Sequence, residues 1–218
     1  MKGEVMKAKK LALVCLVALL AGCLQVVSLQ PLFTKEDVVF DEKLLGTWLF
    51  DPNQPEAALE FSRLDEASTR NLPDAWRDES TKFYRLKTAD EKGDKGSFIA
   101  CLVKLGDRLF LDMFPDRFPS GEQDLKEKKL VHNAAFLLRV HTFIRVDAIG
   151  EQLVIRVTFD HLFKELIQAE PNAVEHQIVD GRTVLTASTK KLQEFVTKFA
   201  DDERLFLLPA MTLQRKRP

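Results

Sequence analysis

Three pairs of β-leaning runs, each joined by a glycine-bearing link, constrain the fold of this chain more than anything else in it. Residues 98–105 and 108–114 flank Gly106-Asp107, a two-residue turn in which glycine supplies the positive φ. Residues 140–146 and 152–159 flank Asp147-Ala148-Ile149-Gly150, where Gly150 can close a longer loop. Residues 176–179 and 183–186 flank Asp180-Gly181, the strongest kind of short-range hairpin signal. Shorter runs at 47–50, 58–64 and 81–88 precede them, and 210–214 reads as a last strand. Adjacent hairpins imply a meandering antiparallel sheet.

Two amphipathic helices interrupt that sheet. Residues 160–168 set Leu162, Phe163, Leu166 and Ile167 on one side, with Asp160 placed to cap and Pro171 near the stop. Residues 188–199 start from Ser188 or Thr189 and set Leu192, Phe195, Val196 and Phe199 at i, i+3, i+4 and i+7. Residues 63–80 hold Asp, Asn, Pro and Ser and read as a loop with Trp76 stranded in it. Residues 115–129 read as a long charged loop. The expected fold class is mainly β (α+β).

The aromatic balance is skewed, with 16 phenylalanines against two tryptophans and one tyrosine. Tyrosine and tryptophan carry polar handles that suit wet binding faces, so their scarcity argues against a sugar-stacking or broad protein-docking surface. Phenylalanine in such number suits a wide dry interior, either packed solid or hollowed into a pocket.

The amino-terminal end concerns destination rather than fold. Basic residues 1–10 lead into the apolar run 11–20, and Leu20-Ala21-Gly22-Cys23 closes it. A charged start, a short apolar core and small residues before a processing point make a secretory signal. The run falls well short of the roughly 20 apolar residues a spanning helix needs, so cleavage is expected rather than an uncleaved anchor. Met6 offers a second compact basic start beside Met1, and either leaves the same mature chain.

The cysteine directly after the small residues makes this segment similar to a bacterial lipoprotein signal. That resemblance implies cleavage before Cys23, a diacylglyceryl thioether on its sulfur and a protein held on a membrane of the cell envelope. Leu24 stands where enteric bacteria use aspartate for inner-membrane retention, which favours the periplasmic face of the outer membrane. The expected organisation is a signal peptide over 1–22, a lipidated amino terminus and tether over 23–43, and one β-rich domain over 44–218. Val26, Val27, Leu29, Leu32 and Phe33 suggest that part of the tether packs on the domain.

Of the three cysteines, Cys15 leaves with the signal and Cys23 takes the lipid. Cys101 then stands alone, which excludes an internal disulfide framework, and its surroundings, apolar on both strand faces, predict a buried inert thiol. The whole chain has a net charge of −1, and removing Lys2, Lys7, Lys9 and Lys10 with Glu4 leaves it more acidic. Nucleic-acid binding calls for a basic patch, so nucleic acid is not an expected partner.

The segment 40–48 resembles the opening of lipocalin-like (calycin) barrels. There a short helical turn leads into Gly-x-Trp, here Gly46 and Trp48, and the tryptophan plugs the closed end. The resemblance implies a closed barrel or half-barrel, against the alternative of another antiparallel sheet with packed helices. The chain departs from that pattern in three ways, one being that the helix at 160–168 has no counterpart in the simple barrel. Leu49 follows the tryptophan, and the candidate arginines to cover it, Arg215 and Arg217, come after the last helix.

Chemistry-bearing motifs are missing. There is no nucleophile elbow, phosphate loop or dinucleotide fingerprint, so no cofactor, catalytic residue or enzymatic activity is expected. His132, His141, His161 and His176 lack the spacing of a metal site, and none is expected. His161 and Glu165 read as surface neighbours on a helix. His141 shares a register with Arg145 and reads as solvent-exposed, and Asp201-Asp202-Glu203 reads as solvated. Two functions stay open. One is a structural or accessory lipoprotein that docks on an envelope assembly, with 115–129 as a docking loop. The other is a lipocalin-like module for a small apolar or lipidic ligand.

Overall fold

The hairpins close into a ring. A computed structural model describes residues 25–89, 95–116 and 138–217, and two short strands open it, β1 (Val27–Ser28) and β2 (Val38–Val39). The ring follows as β3 (Gly46–Leu49), β4 (Ala58–Arg63), β5 (Phe83–Ala89), β6 (Lys95–Leu105), β7 (Arg108–Pro115), β8 (Thr142–Ile149) and β9 (Gln152–Arg156). Each pairs antiparallel with the next. Two further strands, β10 (His176–Val179) and β11 (Arg182–Leu185), leave the ring, and β12 (Met211–Arg215) completes it between β9 and β3. The product is an eight-strand antiparallel barrel. The ninth strand of its sheet, β2, lies beside β6 where β5 has ended.

Period-two alternation divides the buried side chains into two layers. Trp48, Leu59, Phe61, Tyr84, Leu102 and Leu213 point into the barrel with their strand neighbours. On the same strands Phe83, Ile99, Cys101, Val103, Phe110 and Phe143 point outward into a second apolar layer. That outer layer is covered by the amino-terminal strap, by α2 (Asp160–Ala169) and by α3 (Thr189–Lys198), which follow the shorter α1 (Glu66–Asn71). Nine buried phenylalanines belong to the outer layer and two, Phe61 and Phe159, to the inner one. Phenylalanine richness therefore builds the layer between barrel and helices, not the wide interior that composition suggested.

Several expectations need correction. Residues 63–80 are largely helical. The Asp65 carboxylate accepts the Ser68 N–H at 2.8 Å and starts α1, which stops at Leu72 ahead of Pro73. A 3-10 segment, Asp74–Lys82, then carries Trp76 onto Phe33, Phe83 and Phe114. The polar residues that looked like a loop are its cap and stop signals. The expected link 147–150 is mostly strand, because a bulge at Asp147 absorbs one residue and leaves Gly150-Glu151 as the turn.

The Asp180-Gly181 hairpin forms with both turn residues at positive φ, at 49° and 78°. It does not join the meander, however, and instead makes a separate sheet in the order β1-β11-β10. Asp160 is the first residue of α2 rather than its cap. Burial pushes its carboxyl up, but bonds from Lys164 and the Thr183 N–H outweigh that and hold it below the ordinary range. Residues 25–43, expected as a partly packed tether, bury Val26, Leu32, Phe33 and Val38.

Candidate functional site

One end of the barrel is sealed by Gly46, Trp48 and Arg215. Gly46 sits at φ +116°, and a Cβ there would lie 3.0 Å from Arg215 Nη1, so only glycine fits where the chain turns into β3. Trp48 is fully buried and its indole N–H donates to the Leu44 carbonyl at 2.9 Å. Arg215 is the register partner of Trp48, and its guanidinium lies 4.2 Å from the indole ring centroid. It donates to the carbonyls of Leu45, at 2.8 Å, and Lys43. Of the two candidate arginines, Arg215 does this because it lies in the final barrel strand opposite Trp48, whereas Arg217 lies beyond the strand. Tyr84 seals the same end. Its hydroxyl accepts the Asp41 N–H at 2.7 Å and donates to the Asp41 carbonyl, and burial pushes the phenol up to about 12.

The barrel interior above that base is filled by side chains, as eight strands permit. A hollow of about 30 Å³ lies near the opposite end, among Leu59, Leu86, Phe98, Leu111, Met113 and Ile144. Gln25 lies over it, and Thr142 inside the rim donates to the Val26 carbonyl at 3.1 Å. The strap thus crosses the barrel mouth. Two larger hollows, about 430 Å³ beside Gly150 and Gln214 and about 500 Å³ beside Asp65 and Thr81, lie on the outside and are open to solvent.

The strap is latched by a buried polar pair that sequence reasoning missed. Asp112, on the outward face of β7, has no exposure and accepts the Leu32 N–H at 2.8 Å. Its other oxygen lies 2.7 Å from His141 Nδ1. His141 is 4% exposed, not solvent-facing as its register with Arg145 suggested, because Phe33, Trp76 and Phe114 surround the ring. Its backbone bonds Ser28 in both directions at 2.8 Å. Cys101 stands opposite Asp112 on β6. Cys101 is buried, as expected, and burial and then that carboxylate push the thiol well up.

Asp201 is exposed, as expected, and pairs with two arginines at the other end of the outer layer. Its carboxylate takes Arg108 at 2.7 and 2.8 Å and Arg145 at 2.7 Å, and these bonds from two arginines hold it far below the ordinary range. Arg145 also meets Asp147, the bulge residue, which holds Arg156 as well.

The other expected positions divide clearly. Leu20, Ala21, Gly22, Cys23 and His132 lie outside the described residues, as does 117–129 of the docking loop. Asp116, at the start of that loop, is buried and accepts Ser97 Oγ at 2.8 Å. His161 and Glu165 are exposed, and His176 Nδ1 bonds the Val174 carbonyl. Among the described residues no group of three acidic, histidine or cysteine side chains is placed to hold a metal. Compared with known proteins, the chain matches no family model, no curated protein and no solved structure.

Proposed function

We propose that this chain is a lipid-anchored protein of a bacterial cell envelope, with a non-enzymatic structural or accessory role exercised by docking on an envelope partner. The filled barrel carries this reading. A small-molecule site needs roughly 300 Å³ or more, and the hollow among the described residues inside the barrel is about 30 Å³. Cys23 is the lipid-bearing residue in this reading, and Leu24 after it favours the outer membrane. Crosslinking in intact cells tests the role. Recovery of one specific envelope protein is the expected result, and clean profiles would sink the reading.

The alternative, a lipocalin-like module for an apolar or lipidic ligand, is favoured by the barrel base. Gly46, Trp48 and Arg215 reproduce the glycine, plug and covering arginine of the calycin resemblance. For that function Gln25 and the strap must leave the mouth. Native mass spectrometry of protein extracted from its own membrane separates the two. Co-purifying lipid supports the ligand module, and empty protein supports docking.

A further inference from the structure

The small sheet places an exposed apolar edge beside the point where the chain leaves for Cys23. Strand β1 runs parallel to β11, with Val27 opposite Val184. That register sets residue 25 level with Arg182, and Val179 pairs with Arg182 from the far side of β11. Two strand spacings, about 10 Å, therefore separate the path of residue 25 from Val179. Cys23 is two residues further along, a covalent reach of at most about 7 Å.

Strand β10 has β11 as its sheet neighbour and ends the sheet. Its Ile178 and Val179 are 51% and 52% exposed. Among the described residues they are the two exposed large apolar side chains that adjoin one another in the chain. An edge strand with bare apolar side chains is a liability unless something covers it.

We propose that the β10 edge, with Ile178 and Val179 foremost, rests on the bilayer that holds the Cys23 lipid, so that the barrel stands with its mouth end toward the membrane. The inference depends on the lipid-anchor reading of Cys23. A tether of Leu24 alone between anchor and Gln25 leaves this end no room to stand off. A membrane interface also supplies water and headgroups to the free backbone groups of the edge, while the apolar side chains enter the acyl boundary.

The test uses the full chain, purified in its lipidated form and reconstituted in phosphatidylethanolamine–phosphatidylglycerol vesicles. V179C and G150C carry an environment-sensitive fluorophore, with the buried Cys101 unlabelled. Gly150 lies in the β8–β9 turn at the sealed end of the barrel, where a side chain meets no atom within 4 Å. The expected result is a blue-shifted label at 179 that is several-fold less accessible to aqueous iodide than the label at 150. Equal accessibility on lipidated, vesicle-bound protein overturns the orientation and leaves the anchor reading intact. A mature chain whose mass lacks the diacylglyceryl group overturns both. Protection at 179 in native membranes but not in pure lipid vesicles also overturns it, because the edge then covers a protein.

Discussion

The two apolar layers of this molecule share strands but are held by different means. The inner layer is enclosed by a hydrogen-bonded ring without a free edge, so its side chains are confined on every side. The outer layer lies under separate pieces, a strap and two helices, joined to the barrel by a few polar contacts. Asp112 holds the strap, Gln193 joins α3 to the Leu32 carbonyl and Asp37, and Asp201 holds the end of α3 to Arg108 and Arg145. A closed sheet supplies its own cohesion, whereas an added layer needs specific latches.

Removing Trp48 is the most severe way to probe this difference. W48A is expected to cost about 4 kcal/mol in denaturant unfolding, because the ring cannot collapse into the cavity. F195A, in the outer layer, is expected to cost about 3 kcal/mol, since α3 can shift inward. It should speed hydrogen exchange of α3 amides while barrel amides stay protected. A larger loss for F195A than for W48A, or exchange rising in both layers together, breaks the distinction.

D112A strips the latch without opening a large cavity. It leaves the Leu32 N–H and His141 Nδ1 without the Asp112 carboxylate, so about 2 kcal/mol should be lost, with faster exchange at residues 28–33. Unchanged exchange there would mean that packing alone holds the strap. Y84F removes the hydroxyl bonds at the sealed end for about 1 kcal/mol. Because burial raises the Tyr84 phenol in the folded state, its contribution is fully present below the free value of about 10 and lost as pH rises through about 12. The gap between wild type and Y84F should therefore narrow in alkali.

The smallest effect belongs to D201N, at an exposed carboxylate. Here the folded value is lowered, so its stabilisation is present above the free carboxylate value of about 4 and disappears as pH falls through the folded value. Denaturation curves of wild type and D201N should converge in acid. A gap that persists there would show that the arginines hold α3 without its charge.

The inner layer was largely legible in the sequence. Period two in the runs, the Gly106-Asp107 turn and the Gly46–Trp48 opening all act within a few residues, and each formed a strand or turn close to its expected place. The outer layer was only half legible. Residues 97–103 read as apolar on both faces, which already implies something on each side of β6, but the cover comes from residues far away in the chain. His141 illustrates the difficulty, because its burial depends on Phe33, Trp76 and Phe114. Local alternation cannot report such neighbours. The same holds for the 176–186 hairpin, whose turn is local but whose sheet partner is β1.

The pairing of β12 with β3 also sets a schedule for assembly. Residues 48 and 215 are opposite each other in the ring, so a chain emerging amino terminus first cannot complete it until β12 is free. Until then the strands on either side of the gap have bare edges, and closure must bear the entropy of a loop spanning nearly the whole described chain. Ring closure is thus the one barrel step tied to the arrival of β12, after every other strand of the ring.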